Sequence, residues 1–176
     1  MHDDQRKQTV LRMIPYGLHV LTAEGRGGAV AASAVSWLMQ TSFQPTLIVA
    51  AIQPDSGLHA MVRESRKFAV NFLRKGQQEV ARTFFQHLDR NGDTIGGRQL
   101  EWGREGVPIL AEARGWLEAR VVDVNERGDH TLFIAEVPQA GLREEPSGRP
   151  DVTGLLLQDL GEKVFYGGYP KWVSAA

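Results

Sequence analysis

Three stretches of the chain combine residue types that can bind a small polar molecule. A-S-A-V-S-W (32–37) places hydroxyl groups among small residues, Q-P-D-S-G (53–57) leads into a helix, and G-D-H (128–130) puts an imidazole beside a turn. The chemistry that these stretches offer is hydrogen bonding to a flat ligand, anion binding at helix amides, and contact by a titratable ring. Each stretch also has a purely structural interpretation.

The first stretch continues as A-S-A-V-S-W-L-M-Q-T-S-F-Q-P, up to Pro45. Small and hydroxyl residues interrupt an apolar strand, and an extended loop then runs to the proline. Small residues let a flat ligand lie against the backbone, and Ser33, Ser36 and nearby amides can hydrogen-bond its polar edge. Close packing of neighbouring strands explains the same residues, and the local sequence alone favours that interpretation.

The second stretch, Q-P-D-S-G-L-H (53–59), predicts a turn followed by a helix with Ser56 as its N-cap. Amides at a helix N-terminus, together with a serine hydroxyl, suit a phosphate group. Simple capping by Ser56 also explains the pattern, and it is the preferred interpretation of this stretch taken alone. Asp55 opposes an anion here unless Arg63 or Lys67 outweighs its charge.

The third stretch centres on His130, which follows Gly128 and Asp129 and precedes a predicted strand. Glycine and aspartate suit a tight turn. A histidine directly after such a turn points from the rim of a barrel, where a neutral or charged imidazole can reach a bound partner. A turn histidine in solvent is equally consistent with the local sequence.

Other kinds of site find little support in the sequence. The segment D-R-N-G-D-T resembles a calcium loop, with Asp89, Asn91 and Asp93 at its first three oxygen positions. Thr94 and Leu100 stand where an EF-hand needs glycine and glutamate, so a solvated turn is the preferred interpretation. The chain has no cysteine, and its five histidines lack the spacing of metal ligands. Thiol chemistry is excluded, and no metal site is predicted.

Length and composition fit one globular domain, residues 1–176. The 20 basic and 21 acidic residues leave a net charge of −1, which gives no electrostatic footprint for nucleic acid or an anionic membrane. The N-terminus, M-H-D-D-Q-R-K-Q, does not match a signal peptide, and the longest apolar run, Leu47 to Ile52, is too short to cross a bilayer. A soluble, cytoplasmic protein without membrane or nucleic-acid partners is predicted.

The predicted elements are mostly strands, with a few helices between them. Their order lacks regular strand–helix alternation, which argues against a doubly wound sheet and for an antiparallel barrel with attached helices. Residues 88–114 are predicted to be irregular, and 144–151 to form an exposed loop. Periodicity predicts helices at 4–14, 57–65 and 77–87, strands at 17–22, 29–36, 46–52, 68–73, 115–125 and 131–140, and two short strands around Leu155 and Val164.

Four segments, taken in order, resemble the flavin reductase-like, FMN-binding split-barrel family. They are V-S-W-L-M-Q-T-S-F-Q-P-T-L-I-V-A-A-I (35–52), F-A-V-N-F-L-R-K-G-Q (68–77), A-R-T-F (81–84) and G-D-H-T-L-F-I-A-E-V (128–137). No single segment is diagnostic, but all four occur at typical separations. The resemblance extends from Ile14 to Tyr169.

The resemblance implies a mainly β fold, a six-stranded antiparallel Greek-key split barrel that forms a homodimer. It divides the single domain into an N-terminal helix, 1–14, and a barrel with inserted helices, 15–170. FMN, or FAD, would bind near the subunit interface, with NADH or NADPH as co-substrate. The residues implied are Ser33, Val35, Ser36 and Trp37 along the isoalloxazine, Gln53 and Ser56 with Phe84 at the ribityl phosphate, His130 at the nicotinamide, and Tyr166 and Tyr169 near the same dinucleotide.

The chain departs from the family pattern at two places. The family often has G-x-T-x-S where this chain has A-S-A-V-S (32–36), so the threonine hydroxyl is absent and its bond to flavin is either lost or supplied by Ser33. The usual second proline is Thr46. These departures bear on how tightly flavin binds and on whether it stays bound or passes through as a substrate.

The implied function is an NAD(P)H-dependent flavin oxidoreductase, in which hydride passes from nicotinamide C4 to flavin N5. This step needs no protein acid or base, so a chain without a catalytic triad is consistent with it. The final electron acceptor stays open between a partner monooxygenase, free flavin and iron. Two alternatives also stay open: a flavin-binding electron carrier without a true NAD(P)H site, and a flavin-free split-barrel interaction protein.

Overall fold

Antiparallel strands are the predominant secondary structure of the computed structural model, which describes residues 3–161 and 164. The strands of the larger sheet are β1 (His19–Glu24), β2 (Val30–Val35), β3 (Leu38–Phe43), β4 (Thr46–Ile52), β5 (Lys67–Phe72), β10 (Gly115–Asn125) and β11 (Thr131–Leu142). The strands of the smaller sheet are β6 (Arg90–Asn91), β7 (Thr94–Ile95), β8 (Arg98–Trp102) and β9 (Pro108–Leu110). The helices are α1 (Asp3–Leu11), α2 (Gly57–Ser65), α3 (Gln78–Thr83) and α4 (Pro150–Thr153), with 3-10 turns at Arg26–Gly28 and Leu157–Leu160.

The larger sheet runs in the order β2-β1-β5-β10-β11-β4-β3, and every neighbouring pair is antiparallel. Alternate side chains of its strands face two separate clusters, as the two-residue period of a strand requires. Leu21 and Phe133 belong to a cluster that the strands share with α2. Leu18 and Val20 belong to a second cluster with α3, the smaller sheet and the segment around Leu155. The predicted mainly β fold class is confirmed.

The sheet has seven strands rather than the six that the resemblance implies. The additional strand is β3, which the sequence predicts as an extended loop. β3 pairs with β4 at the edge of the sheet, and most of its side chains are exposed. Because an exposed edge strand needs no apolar alternation, its sequence M-Q-T-S-F lacks the pattern by which strands are recognised.

The region 88–114 is not irregular but contains the four strands of the smaller sheet. Two of these strands have only two residues each, too short for any periodicity to show. The reverse error occurs near Leu155, where Gly154 and Leu156 form only isolated bridges, and Val164 lies outside any strand. The predicted exposed loop, 144–151, is confirmed as far as residue 149, where α4 follows.

Two predicted helices end early. α1 stops at Leu11 instead of Ile14, and none of its described residues is buried. α3 stops at Thr83 instead of residue 87, because the carbonyl of Phe84 turns away to accept the amide of Ala34 at 3.0 Å. Within the described residues, no helix combines the length and the apolar character that a membrane crossing requires.

Candidate functional site

Two predicted site residues, Trp37 and His130, lie in contact. Their ring centroids are 4.5 Å apart, with the ring planes tilted by 46°. The carbonyl of Trp37 accepts the amide of Ala51 at 3.0 Å, and His130 directly precedes Thr131, which pairs with Ile52. Both rings are therefore held at the same end of β4, although they come from distant parts of the sequence.

The imidazole of His130 is oriented by the preceding residue. Its Nδ1 lies 2.8 Å from Oδ1 of Asp129, and the histidine side chain is 22% exposed. This hydrogen bond, and then the charge of His130, lower the pKa of Asp129. Since the ionised carboxylate can only accept, Nδ1 carries the hydrogen and the lone pair of the neutral ring is on Nε2. The turn thus fixes which nitrogen of His130 can accept a hydrogen bond.

A third ring, Tyr16, extends this pair. Its centroid lies 6.4 Å from that of Trp37, and its backbone carbonyl accepts the amide of Leu157 at 3.0 Å. The sequence analysis did not predict Tyr16 as a site residue. Its position after Pro15 indicates only the end of a helix, so no local pattern identifies it.

The end of β2 carries the predicted flavin-facing residues. Ser33 and Ser36 are half-buried, and Val35 is buried. His19 pairs with Val35 in the β1–β2 register, so this end of β2 is backed by the start of β1. The chain leaves β2 at Ser36 and reaches Trp37 one residue later, so the end of β2 and the first ring of the pair are adjacent in the chain.

Phe84 does not present its ring at the surface. The side chain is 2% exposed and packs in the cluster with α3, whereas the neighbouring Phe85 is 54% exposed. What Phe84 contributes to β2 is its backbone carbonyl, bonded to the amide of Ala34. A contact between Phe84 and a ligand stays a prediction.

The start of α2 has the predicted capped geometry. Ser56 is the N-cap: its hydroxyl donates to the carbonyl of Gln53 at 2.8 Å and accepts the amide of His59 at 3.1 Å. The side chain of Gln53 is exposed. Because Gln53 follows Ile52 directly, this helix start lies at the same end of β4 as the ring pair. The first amides of a helix lack intrahelical partners, which gives this position a partial positive charge.

His87 also approaches the start of α2, and the sequence did not indicate this. A Cβ added to Gly57 would lie 3.3 Å from Nδ1 of His87 and 4.0 Å from the Cβ of Ala31. The side chain of His87 is 72% exposed, with Nε2 3.5 Å from a carboxylate oxygen of Asp89. The sequence predicts His87 on a helix face, but α3 ends before it. Even a methyl group on Gly57 would press against this ring, so the imidazole of His87 lies close beside the first turn of α2.

The two cations considered as partners for this helix start are engaged elsewhere. Arg63 pairs with Glu126, and Lys67 lies 3.9 Å from Glu105. Asp55 is exposed in the turn. The positive character of this helix start therefore comes from its own amides, and neither Arg63 nor Lys67 supplies it.

A buried hydrogen bond joins the start of α2 to the start of β11. Nε2 of His59 lies 2.8 Å from Oγ1 of Thr131, and both side chains are buried. The ring of His59 also makes an edge contact with Phe133 at 5.4 Å. Burial, and then the charge of Arg63, lower the pKa of His59. A neutral His59 thus ties the N-cap turn to the residue after His130, a connection that the sequence did not reveal.

The remaining predicted residues fall into two groups. Tyr166 and Tyr169 lie outside the described residues. In the calcium-like segment, Asp93 lies 3.5 Å from Arg90, and the segment forms the β6–β7 turn. Among residues 3–161 and 164, no three histidine, aspartate or glutamate side chains come together as a metal site.

Comparison with known proteins identifies the family. Residues 11–161 match the model of the flavin reductase like domain. The reductase component of 4-nitrophenol 4-monooxygenase/4-nitrocatechol 2-monooxygenase from Rhodococcus opacus is 32% identical over 154 residues, which cover 80% of each chain. An NADH:FAD oxidoreductase of Streptomyces globisporus C-1027 superposes with a TM-score of 0.73 at 26% identity, covering 96% of this chain and 95% of that one.

Some relatives are much longer. Diflavin flavoprotein A 1 of Synechocystis sp. (strain ATCC 27184 / PCC 6803 / Kazusa) is 26% identical over 135 residues, which are 76% of this chain but 23% of that protein. The shared part is thus the domain described above. With the family model covering most of the chain and the fold matching that of an oxidoreductase of this type, the chain belongs to the flavin reductase-like family of FMN-binding split-barrel proteins.

Proposed function

We propose that this protein is an NAD(P)H-dependent flavin oxidoreductase that uses FMN. The observation that carries the proposal is the contact between Trp37 and His130, beside both the end of β2 and the start of α2. A flat ring system, its phosphate and a second ring need three different kinds of contact. Small residues, helix amides and an oriented imidazole offer these three at one end of β4.

The FMN phosphate would bind at the start of α2. The first amides of α2 suit a compact anion, the Ser56 hydroxyl holds that turn by accepting from His59, and the His87 imidazole lies beside Gly57. The isoalloxazine would then lie along the end of β2, where Ser33 and Ser36 can hydrogen-bond its polar edge. The chain therefore fits FMN, whose phosphate and ring would meet different elements.

His130 would position the nicotinamide of NADH or NADPH. Its Nδ1 is held by Asp129, so Nε2 is the nitrogen that can accept from a carboxamide N–H. Trp37 restricts the imidazole from one side. Bound flavin would supply the hydride-accepting chemistry, and the protein residues would contribute orientation and exclusion of water. No acid or base role is assigned to His130.

The proposal includes a homodimer and a monooxygenase as the recipient of reduced flavin. The Rhodococcus opacus relative is named as the reductase component of a monooxygenase, and a Streptomyces globisporus relative has a structure in complex with NAD and FAD fragments. The first name supports a monooxygenase as the recipient of reduced flavin, and the second supports a flavin and a nicotinamide nucleotide as the ligands.

The decisive experiment is an absorbance spectrum of the purified protein with FMN, recorded anaerobically before and after NADH or NADPH is added. Bleaching of the visible flavin bands within a few turnovers supports the oxidoreductase. Flavin that binds but stays oxidised until dithionite is added would instead identify an electron carrier without a nicotinamide site. A protein that retains no flavin and does not accelerate NADH oxidation would contradict both functions.

A further inference from the structure

Asn91 and Gly92 lie at the turn of the β6–β7 hairpin, in the smaller sheet, which supplies none of the flavin and nicotinamide contacts proposed above. Asn91 pairs with Thr94, so the loop of the hairpin consists of Gly92 and Asp93. Gly92 has a φ of +59°, which the first residue of such a loop requires and which glycine adopts without strain. The chain therefore presents an asparagine followed by a glycine on an exposed turn.

Two neighbouring groups of this turn are free to react with each other. No residue of 3–161 or 164 hydrogen-bonds to the side-chain amide of Asn91 or to the backbone N–H of Gly92. The contact that fixes the turn uses the backbone carbonyl of Asn91, which accepts Oγ1 of Thr94 at 2.8 Å. A Cβ built on Gly92 would have no atom within 4 Å, so the neighbours leave this side of the turn open.

The reaction open to these groups is deamidation. The Gly92 nitrogen attacks Cγ of Asn91 and forms a succinimide ring, while the side-chain nitrogen leaves as ammonia with the proton of the Gly92 amide. Water then opens the ring. Breaking the new Cγ–N bond gives aspartate at position 91, and breaking the original backbone C–N bond gives isoaspartate, in which the main chain runs through Cβ and Cγ. Water is the only co-reactant, because the attack is intramolecular.

Glycine and a weakly held hairpin both favour the attack. Gly92 has no Cβ to crowd the approach of its nitrogen to the side chain of Asn91. The strands β6 and β7 have only two residues each. Segments held by so few hydrogen bonds open locally at a small cost in free energy. The turn can therefore reach the geometry in which the Gly92 nitrogen faces Cγ of Asn91.

The other two asparagines of the sequence lack this combination. Asn71 is buried, and both the nitrogen and the oxygen of its side chain are hydrogen-bonded. Asn125 is exposed, but its Oδ1 accepts the amide of Arg127 at 3.1 Å. The residue after Asn125 is Glu126, whose Cβ crowds the attacking nitrogen. Deamidation is therefore expected at position 91 and at neither of the others.

Arg90 connects this turn to the larger sheet. Its Nε donates to the carbonyl of Gly92 at 2.6 Å, and its Nη1 donates to the carbonyl of Gly28, between β1 and β2, at 2.7 Å. The same guanidinium lies over the indole of Trp102, 4.7 Å from the ring centroid. Isoaspartate adds a methylene group to the main chain directly before Gly92, so it displaces the carbonyl that Arg90 binds.

We propose that Asn91 is a site of spontaneous deamidation and that the isoaspartate formed there loosens the smaller sheet. Each event replaces a neutral amide with a carboxylate, so the net charge of −1 becomes more negative. The modification does not depend on flavin or nicotinamide binding.

The test is prolonged incubation of the full chain at physiological temperature and slightly alkaline pH, followed by anion-exchange chromatography and peptide mass spectrometry. An acidic form should accumulate in the wild type, with the change of amide to acid in the peptide that contains Asn91. A wild type that stays a single species over the incubation would overturn the proposal.

Two matched variants locate the reaction. Asn91→Gln keeps the carboxamide and the charge, but its longer side chain would have to close a larger ring, which forms much more slowly. Asn125→Gln makes the same change at the other exposed asparagine. We expect the acidic form to accumulate in Asn125→Gln as in the wild type and to be lost in Asn91→Gln. Equal accumulation in Asn91→Gln would place the reaction elsewhere and contradict the proposal.

Melting temperatures test the effect on the smaller sheet. The aged wild type should melt at a lower temperature than the fresh protein, whereas aged and fresh Asn91→Gln should melt alike. An aged wild type that contains isoaspartate but melts at the original temperature would overturn the proposed loosening. NADH oxidation with FMN should be the same in fresh wild type and fresh Asn91→Gln, so failure of the proposed function and failure of this inference give different results.

Discussion

The indole of Trp37 and the imidazole of His130 lie 4.5 Å apart, although one follows β2 and the other precedes β11. β4 brings them together, because it hydrogen-bonds to the Trp37 carbonyl and pairs with the start of β11. Such an aromatic pair adds about 0.5–1.5 kcal/mol beyond the area that it buries. The ring of His130 is thus held by Trp37 on one side and Asp129 on the other.

His130→Ala should raise the KM for NADH roughly tenfold while changing the dissociation constant for FMN less than about twofold, because the role proposed for the imidazole is to position the nicotinamide. Steady-state kinetics and flavin titration measure the two effects. His87→Ala is the matched control, since it removes an imidazole from the other end of the site and should weaken FMN instead. Unchanged NADH kinetics in His130→Ala would remove this role.

Thr131→Val should also raise the KM for NADH, by roughly threefold or more, because Nε2 of His59 loses its partner and the start of β11 is no longer fixed to α2. Thr131→Ser keeps the hydroxyl and should restore normal kinetics. A valine variant with wild-type KM but a lower melting temperature would show that this hydrogen bond only stabilises the fold.

Ser56→Ala should weaken FMN more than riboflavin, which has the same ring system without the phosphate. The hydroxyl caps α2 and lies at the proposed phosphate site, so its loss should cost about 1 kcal/mol in helix stability and several-fold in FMN affinity. Fluorescence titration with both flavins gives the ratio. Equal losses for FMN and riboflavin would place the phosphate elsewhere.

Acid should destabilise this protein through His19. Burial lowers its folded-state pKa from 6.5 to about 4, so the unfolded chain binds a proton that the folded chain does not. The contribution of His19 to the free energy of unfolding is fully present above pH 6.5. It is lost as the pH falls from 6.5 to about 4, by about 3 kcal/mol in total. Urea unfolding of wild type and His19→Phe between pH 8 and pH 5 should show a smaller loss in the variant.

Part of that pH dependence should persist in His19→Phe. The pKa of His59 is lowered as well, so its contribution to the stability of the fold is also lost as the pH falls below 6.5. Parallel stability curves for the two proteins would show that His19 does not carry the effect. A curve for the variant that is flat above pH 5 would remove the contribution assigned to His59.

Sequence patterns predicted the elements whose side chains are buried on a regular period. β4, β5, β10 and β11 have long apolar or alternating runs, and α2 has both an apolar face and a serine cap. The helix cap at Ser56 and the turn at Gly128–His130 could also be predicted, because each depends on a few consecutive residues.

Elements without such a pattern were missed. The exposed edge strand β3 and the two-residue strands β6 and β7 owe their existence to pairing with other segments, which leaves little trace in their own sequence. The helix α3 was predicted too long because a contact with β2, and not a local stop signal, ends it. The early end of α3 is also why His87 lies beside the start of α2.

By itself, the sequence determined the mainly β fold, the family resemblance, the capped helix start and the turn before His130, because each depends on residues close together in the chain. Only the tertiary structure decided that His130 contacts Trp37, that His59 bonds Thr131, and that His19 has a buried nitrogen to which no residue of 3–161 or 164 hydrogen-bonds. These relationships join residues from distant segments. Strand order and register set their distances, and no local pattern encodes either.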